Sequence, residues 1–133
     1  MPINGATILV GATSAATGGS SKSFTLTGLK VNNGLQVADA SETDARIRPH
    51  MVVKSIPGTY NKSTDSWTSD KRECVVARPK ILSDGSVDFP SFRITYTGNP
   101  EVTAAEIATL RGHAAQAIYD ADFDAFWSAG SLA

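Results

Sequence analysis

Up to residue 98, apolar and polar positions alternate in short runs; beyond residue 100 they recur every three or four residues. Residues 6–10 (ATILV) form the first run, and a Gly/Ser/Ala/Thr stretch over 11–21 follows, with Gly18-Gly19 suited to a turn. Residues 23–29 then place Phe24 and Leu26 on one face and Thr25 and Thr27 on the other, which is strand alternation. The two runs predict an N-terminal β-hairpin within residues 1–30. Asn32-Asn33-Gly34 tolerates positive φ and predicts a turn before a short strand at 35–40. Longer strands are expected at 46–56 and 72–82, and a last one at 89–97. Pro57-Gly58, the turn Ser83–Ser86 and Gly98-Asn99-Pro100 punctuate them. Pro49 and Pro79 fall inside two of these runs, where each removes a ladder donor and implies a local irregularity.

The last third has a helical period. Pro100 suits a first turn, and Thr103 followed three residues later by Glu106 is a capping-box pattern. Ile107, Leu110, Ala114 and Ile118 mark one helical face. The pattern restarts near Asp120 with Phe123, Phe126 and Trp127 on a stripe, and Gly130 is a natural terminator. Strands followed by helices, without βαβ alternation, predict an α+β fold. We expect one domain over 1–133: a hairpin at 1–30, a five-stranded antiparallel meander sheet at 35–97 and two C-terminal helices at 100–129. A sheet of this size has more apolar surface and open edge than two short helices can cover. The helices are therefore expected to pack across a dimer partner, with Ile107, Leu110, Ile118, Phe123, Phe126 and Trp127 making the contact.

The 41% apolar and 19% charged content describes an ordinary globular chain. No apolar run approaches the roughly 20 residues of a membrane span, and no basic segment with an apolar core suggests secretion. A single cysteine, Cys74, excludes an internal disulfide framework. The net charge of −1 hides an asymmetry. Residues 46–93 hold nine of the twelve cations against five carboxylates, whereas residues 94–133 hold Arg111 against five carboxylates. Such a split suggests surfaces with different partners.

Strand parity assigns the cations to a face. In 46–56 the even positions include Arg46, Arg48, His50 and Lys54; in 72–82 they include Arg72, Cys74, Arg78 and Lys80. In the last strand Ser91, Arg93 and Thr95 oppose Phe92, Ile94 and Tyr96. If the even sets of the two long strands share a surface with the odd set of the last, one face is almost purely cationic. One-sign enrichment interspersed with Ser and Thr is what binding to nucleic-acid phosphates requires.

Catalytic and metal chemistry find little support. His50 and His113 are the only histidines and have no ligand spacing with Cys74. Neither a nucleophile-elbow motif nor a phosphate loop occurs. Asp120, Asp122 and Asp124 lack the central Gly and closing Glu of a calcium loop, and read as the polar face of a helix. No cofactor, metal, membrane or small-molecule substrate is expected.

The order of parts resembles the single-stranded RNA bacteriophage (levivirus-type) coat proteins across essentially the whole chain. RIRPHMVVKSI, RECVVARPKIL, SFRITYTG and the tail TAAEIATLRGHAAQAIYDADFDAFW carry the resemblance. It implies an intertwined homodimer, assembly into an icosahedral shell, and a sheet facing the packaged genomic RNA, formed in a bacterial host cytoplasm and ending in the virion. An RNA hairpin on that sheet represses replicase translation in many members. By position, Arg46, Arg48, His50 and Lys54 would lie on the first RNA-facing strand. Arg72, Cys74, Arg78 and Lys80 would lie on the second, and Ser91, Arg93 and Thr95 on the third. The loop Ser83–Asp88 matches the family's loop at symmetry axes. Ser91 stands where known members carry a tyrosine that stacks on an RNA base. The alternatives are a nucleic-acid-binding β-domain that never forms a shell, and a structural subunit of another assembly.

Overall fold

The alternating runs between residues 23 and 98 become strands in the computed structural model, which describes residues 5–10 and 18–132. In chain order they are β1 (Phe24–Leu26), β2 (Gly34–Asp39), β3 (His50–Ile56), β4 (Tyr60–Asn61), β5 (Ser66–Trp67), β6 (Asp70–Ala77), β7 (Lys80–Ile81), β8 (Val87–Asp88) and β9 (Ser91–Gly98). Five of them form one antiparallel sheet in the order β1-β2-β3-β6-β9. The other four make two small ribbons, β4 with β5 and β7 with β8, inserted in the β3–β6 and β6–β9 connections. The helical third gives α1 (Ala104–Tyr119), a 3-10 turn (Ala121–Phe123) and α2 (Asp124–Ala129). Two compact units result, one of Gly19–Glu101 and one combining the described residues up to Gly18 with those from Val102 onward.

Within the sheet unit the two prolines end strands rather than interrupt them. Pro49 lies just before β3 and Pro79 just after β6. The expected strand 46–56 therefore begins at His50, and the expected strand 72–82 divides into β6 and the short β7. Pairing runs one step further through carbonyls, with Asp39 N–H donating to Pro49 O at 3.0 Å and Arg78 N–H to Pro90 O at 3.2 Å. A proline can accept in a ladder but cannot donate. Asn33 takes φ 60° in the turn before β2. Gly34 follows it directly opposite Lys54, where any Cβ would strike the Val53 carbonyl oxygen.

The N-terminal hairpin requires a correction. Residues 6–10 are not in a strand; Phe24–Leu26 pairs instead with β2, in the register Phe24↔Asp39. The expected turn falls partly on residues 11–17, outside those described. In the second unit the backbone of 6–10 finds other partners. Leu9 N–H donates to Gln116 Oε1 at 2.7 Å, and Gln116 Nε2 donates back to Leu9 O at 2.9 Å. One side-chain amide thus replaces both bonds of a neighbouring strand. Asp122 Oδ2 accepts from Thr7 N–H at 3.1 Å. Gln116, 9% exposed, is the buried residue of α1.

The helix signals act where the residues place them. Thr103 caps α1, its hydroxyl accepting from Glu106 N–H at 3.3 Å, which satisfies a donor that has no partner within the helix. Asp120 ends α1 and opens the 3-10 turn, accepting from Asp122 N–H at 2.9 Å. The acidic run is thus not merely a solvated helix face. Gly130 closes α2 in the left-handed region, φ 68°. Phe126 and Trp127 pack with ring centroids 4.8 Å apart, and the Trp127 indole donates to Ala117 O at 2.7 Å. That bond ties α2 to the last turn of α1.

Replacing Gln116 with Ala removes both bonds to Leu9, whose groups can then turn to water, at an expected cost of roughly 1–2 kcal/mol. The Leu9 amide should exchange much faster in Q116A. Gln116→Glu keeps an acceptor but loses the donor, so its exchange rate should fall between those of Q116A and the parent. Unchanged Leu9 exchange in Q116A would show that the segment is held by something else.

Candidate nucleic-acid interface

Cross-strand register decides which side chains share a face, because residues directly opposite in a pair point the same way. β2 pairs with β3 as Gln36↔Val52, even with even. β3 pairs with β6 as Lys54↔Glu73, even with odd. β6 pairs with β9 as Glu73↔Thr95, odd with odd. One face therefore carries Gln36, His50, Lys54, Lys71, Glu73, Ser91, Arg93, Thr95 and Thr97 around Val52, Ile56 and Val75. The other carries Leu26, Leu35, Val37, Met51, Val53, Cys74, Val76, Phe92, Ile94 and Tyr96. The sheet is amphipathic, as an antiparallel sheet with one solvated face must be.

This register keeps five of the expected residues together and moves the others. His50, Lys54, Ser91, Arg93 and Thr95 share the polar face. Arg72 and Cys74 lie on the apolar face, because β3 meets β6 with opposite parity. There the Arg72 guanidinium sits 5.4 Å from the Tyr96 ring centroid, a cation–π contact. Lys71 and Thr97 take their place on the polar side. The alternation could not reveal this, since β6 has polar and apolar residues on both of its faces.

Arg46 and Arg48 precede β3 and are engaged locally. Arg46 forms a two-point ion pair with Asp44, Nη2–Oδ2 3.0 Å and Nε–Oδ1 3.2 Å. Arg48 donates through Nε and Nη2 to the Glu42 carbonyl at 3.1 and 3.0 Å. Arg78 and Lys80 leave the sheet with the proline bend. With Lys22, Asp39 and Ser41 they line an open hollow of about 520 Å³. The loop Ser83–Asp88 supplies the turn of the β7–β8 ribbon and, in Val87–Asp88, its second strand, with Leu82 N–H donating to Ser86 O at 2.8 Å.

The polar face is not of one sign. Glu73 faces Lys54 across one pair and Thr95 across the other, and its Oε1 is 3.0 Å from Arg93 Nη1. Lys54 and Lys71 form no ion pair among the described residues. At the end of the ring-poor polar face, the His50 and Phe89 rings meet edge-on, 6.5 Å apart.

The apolar face leaves large side chains exposed. Leu35 is 54% exposed, Phe92 46% and Ile94 42%, while the buried apolar residues are the small Ala38, Ala77 and Pro79. Among the expected packing residues of the helical unit, Ile107, Ile118, Phe123 and Phe126 are partly buried, and Leu110 and Trp127 are exposed.

Carboxylates around the sheet are held by local donors. The Ser41 hydroxyl and backbone N–H both bond Asp39 Oδ1, at 2.6 and 2.9 Å, and hold that carboxyl below its ordinary value. Ser86 does the same to Asp84, and Arg46 to Asp44. A hydroxyl or amide that bonds the ionised form favours it.

No protein-family model matches the chain, and no curated protein sequence matches it. Solved structures do. The chain is similar to the virus-like particle of bacteriophage GQ-907, at 40% identity and a TM-score of 0.91, over 98% of this chain and 99% of that one. It also resembles the virus-like particle of bacteriophage AVE019, at 12% identity and a TM-score of 0.61, over 84% of this chain and 88% of that one; this second likeness is one of fold. A five-stranded antiparallel sheet followed by two C-terminal helices, shared end to end with such a subunit, defines a phage structural protein. The chain belongs to the single-stranded RNA bacteriophage (levivirus-type) coat proteins.

The held carboxylates set a pH dependence. Each is lowered in the folded protein, so its stabilisation is complete well above the unfolded value of about 3.9 and is lost as pH falls through the folded value. In Ser41→Ala, Asp39 should titrate nearer its ordinary value by NMR while Asp84 stays unchanged. Stability should then fall less steeply below about pH 4. An unmoved Asp39 titration would show that Ser41 is not its principal donor.

Proposed function

We propose that this protein dimerises, assembles into an icosahedral phage shell and lines it with the polar face of its sheet, which binds genomic single-stranded RNA. Its role is structural rather than catalytic, and the whole chain acts as one coat-protein domain. The observation that carries the shell reading is the end-to-end likeness to a subunit that forms a virus-like particle. The physical argument for dimerisation is the exposed apolar face of the sheet, together with Leu110 and Trp127. Burying such side chains gives roughly 25 cal/mol per Å², a gain that a second copy supplies. The packing residues Ile107, Leu110, Ile118, Phe123, Phe126 and Trp127 belong to that association.

RNA binding rests on Lys54, Lys71, Arg93, His50, Ser91 and Thr95 sharing one face. Ser91 leaves β9 without a stacking ring on that side, so phosphate contacts rather than base stacking carry the binding. Packaging of the genome follows directly from such contacts. Repression of replicase translation requires a selective hairpin site, which this face would have to build from hydrogen bonds.

Expressed alone in bacteria, the chain should give uniform round particles by negative-stain microscopy that elute in size exclusion with absorbance at 260 nm. A monomer or dimer without RNA would overturn the shell reading and leave a stand-alone binding or structural module.

A comparison of faces tests the RNA surface separately. Lys54→Ala and Lys71→Ala should each weaken RNA binding and reduce the salt slope of log affinity by about 0.7, as expected for one lost phosphate contact to a single strand. Arg72→Ala, on the opposite face, should leave the slope unchanged. The reverse ranking would place RNA on the other side of the sheet.

A further inference from the structure

Glu73 is the acidic residue among the cations of the polar face, and its position is central. Across the ladder it faces Lys54 on β3 and Thr95 on β9, and it reaches diagonally to Arg93 at 3.0 Å. The carboxylate side chain is 12% exposed and the guanidinium 65%. The anion is therefore sheltered from water while the cation it pairs with stands at the surface. Sheltering reduces screening, so the negative charge is felt by anything that approaches the face. A phosphate arriving at Arg93 meets a guanidinium with one donor already spent and a carboxylate directly behind it. Lys54 lies on the other side of the same carboxylate.

We infer that Glu73 is an affinity-setting residue for this face: an electrostatic brake that offsets Arg93 and weakens the hold of each subunit on single-stranded RNA phosphates. This rests on the reading that the polar face binds RNA, and it specifies how strongly. With Glu73 in place, Lys54 and Lys71 supply the uncompensated positive charge. A single subunit then binds RNA weakly, and firm retention of the strand requires many subunits acting together, since linked weak sites multiply their effect.

The test uses the full chain, dissociated from any particles into subunits and freed of nucleic acid so that the polar face is accessible, and a fluorescent oligo-uridine of about 20 nucleotides followed by anisotropy over a range of salt. Oligo-uridine reports phosphate contacts with little contribution from base readout. Glu73→Gln keeps the shape and the acceptor for Arg93 but removes the charge. It should bind roughly five- to tenfold tighter near 50 mM salt, with a salt slope steeper by about 0.7, the signature of one additional phosphate contact. Glu73→Thr, which suits a strand, should shift binding in the same direction and guards against a misfolded first variant. Glu106→Gln makes the same change in net charge on α1 and should have little effect.

Unchanged or weaker binding by both Glu73 variants, while the parent binds and Lys54→Ala weakens it, would overturn the brake and leave the RNA surface intact. An equal gain in Glu106→Gln would also overturn it, by tracing the effect to net charge. Absence of binding by the parent and every variant would remove the RNA reading itself, and the brake with it.

Discussion

Seven residue pairs join β3 to β6, from His50↔Ala77 to Ile56↔Lys71, and this register decides what both faces of the sheet carry. It joins an even set to an odd set. Lys54 consequently meets Glu73 and not Arg72, and Val53 meets Cys74. A shift by one residue would turn β6 and β9 over relative to β2 and β3. Arg93 and Thr95 would then lie beside Met51 and Val53, and Phe92 and Ile94 would lie beside Lys54. The amphipathic character of the sheet, and any surface it offers to a polyanion, depends on that one ladder.

Much of what fixes the irregular parts is polar and local. Ser41 holds Asp39, Arg48 holds the Glu42 carbonyl, Ser86 holds Asp84 and Gln116 holds Leu9 at both backbone groups. These bonds shape loops and termini without large side chains, and the buried apolar residues are small. Large apolar groups such as Leu35, Phe92 and Ile94 remain exposed. In a coat protein that division has a physical logic: local bonds define the subunit, and exposed apolar surface suits the association with a second copy that we propose.

The cations divide in the same way. Arg46 and Arg48 hold their own loop, Arg72 lies over Tyr96, and Arg93 is paired with Glu73. An arginine's planar fork suits such directed partnerships, whereas a lysine is a mobile point charge. Lys54 and Lys71 accordingly carry the open charge of the polar face. A count of basic residues between 46 and 93 therefore overstates what a phosphate would meet.

The features legible in the residues alone were those set by near neighbours in the chain. Thr103 with Glu106, Gly130 and the alternation of Phe92, Ile94 and Tyr96 are local matters of dihedral angle, capping and period. They gave the α+β class, the five-stranded sheet and the two helices, along with the facing of β9. The tertiary structure alone decided how β6 meets β3, because register depends on pairing across a long connection. It also placed Leu9 against Gln116, a residue that the helical period does not single out. Lys71 joined the polar face and Arg72 left it for the same reason: β6 alternates no hydrophobic set of its own, so only its neighbours could tell it which way to face.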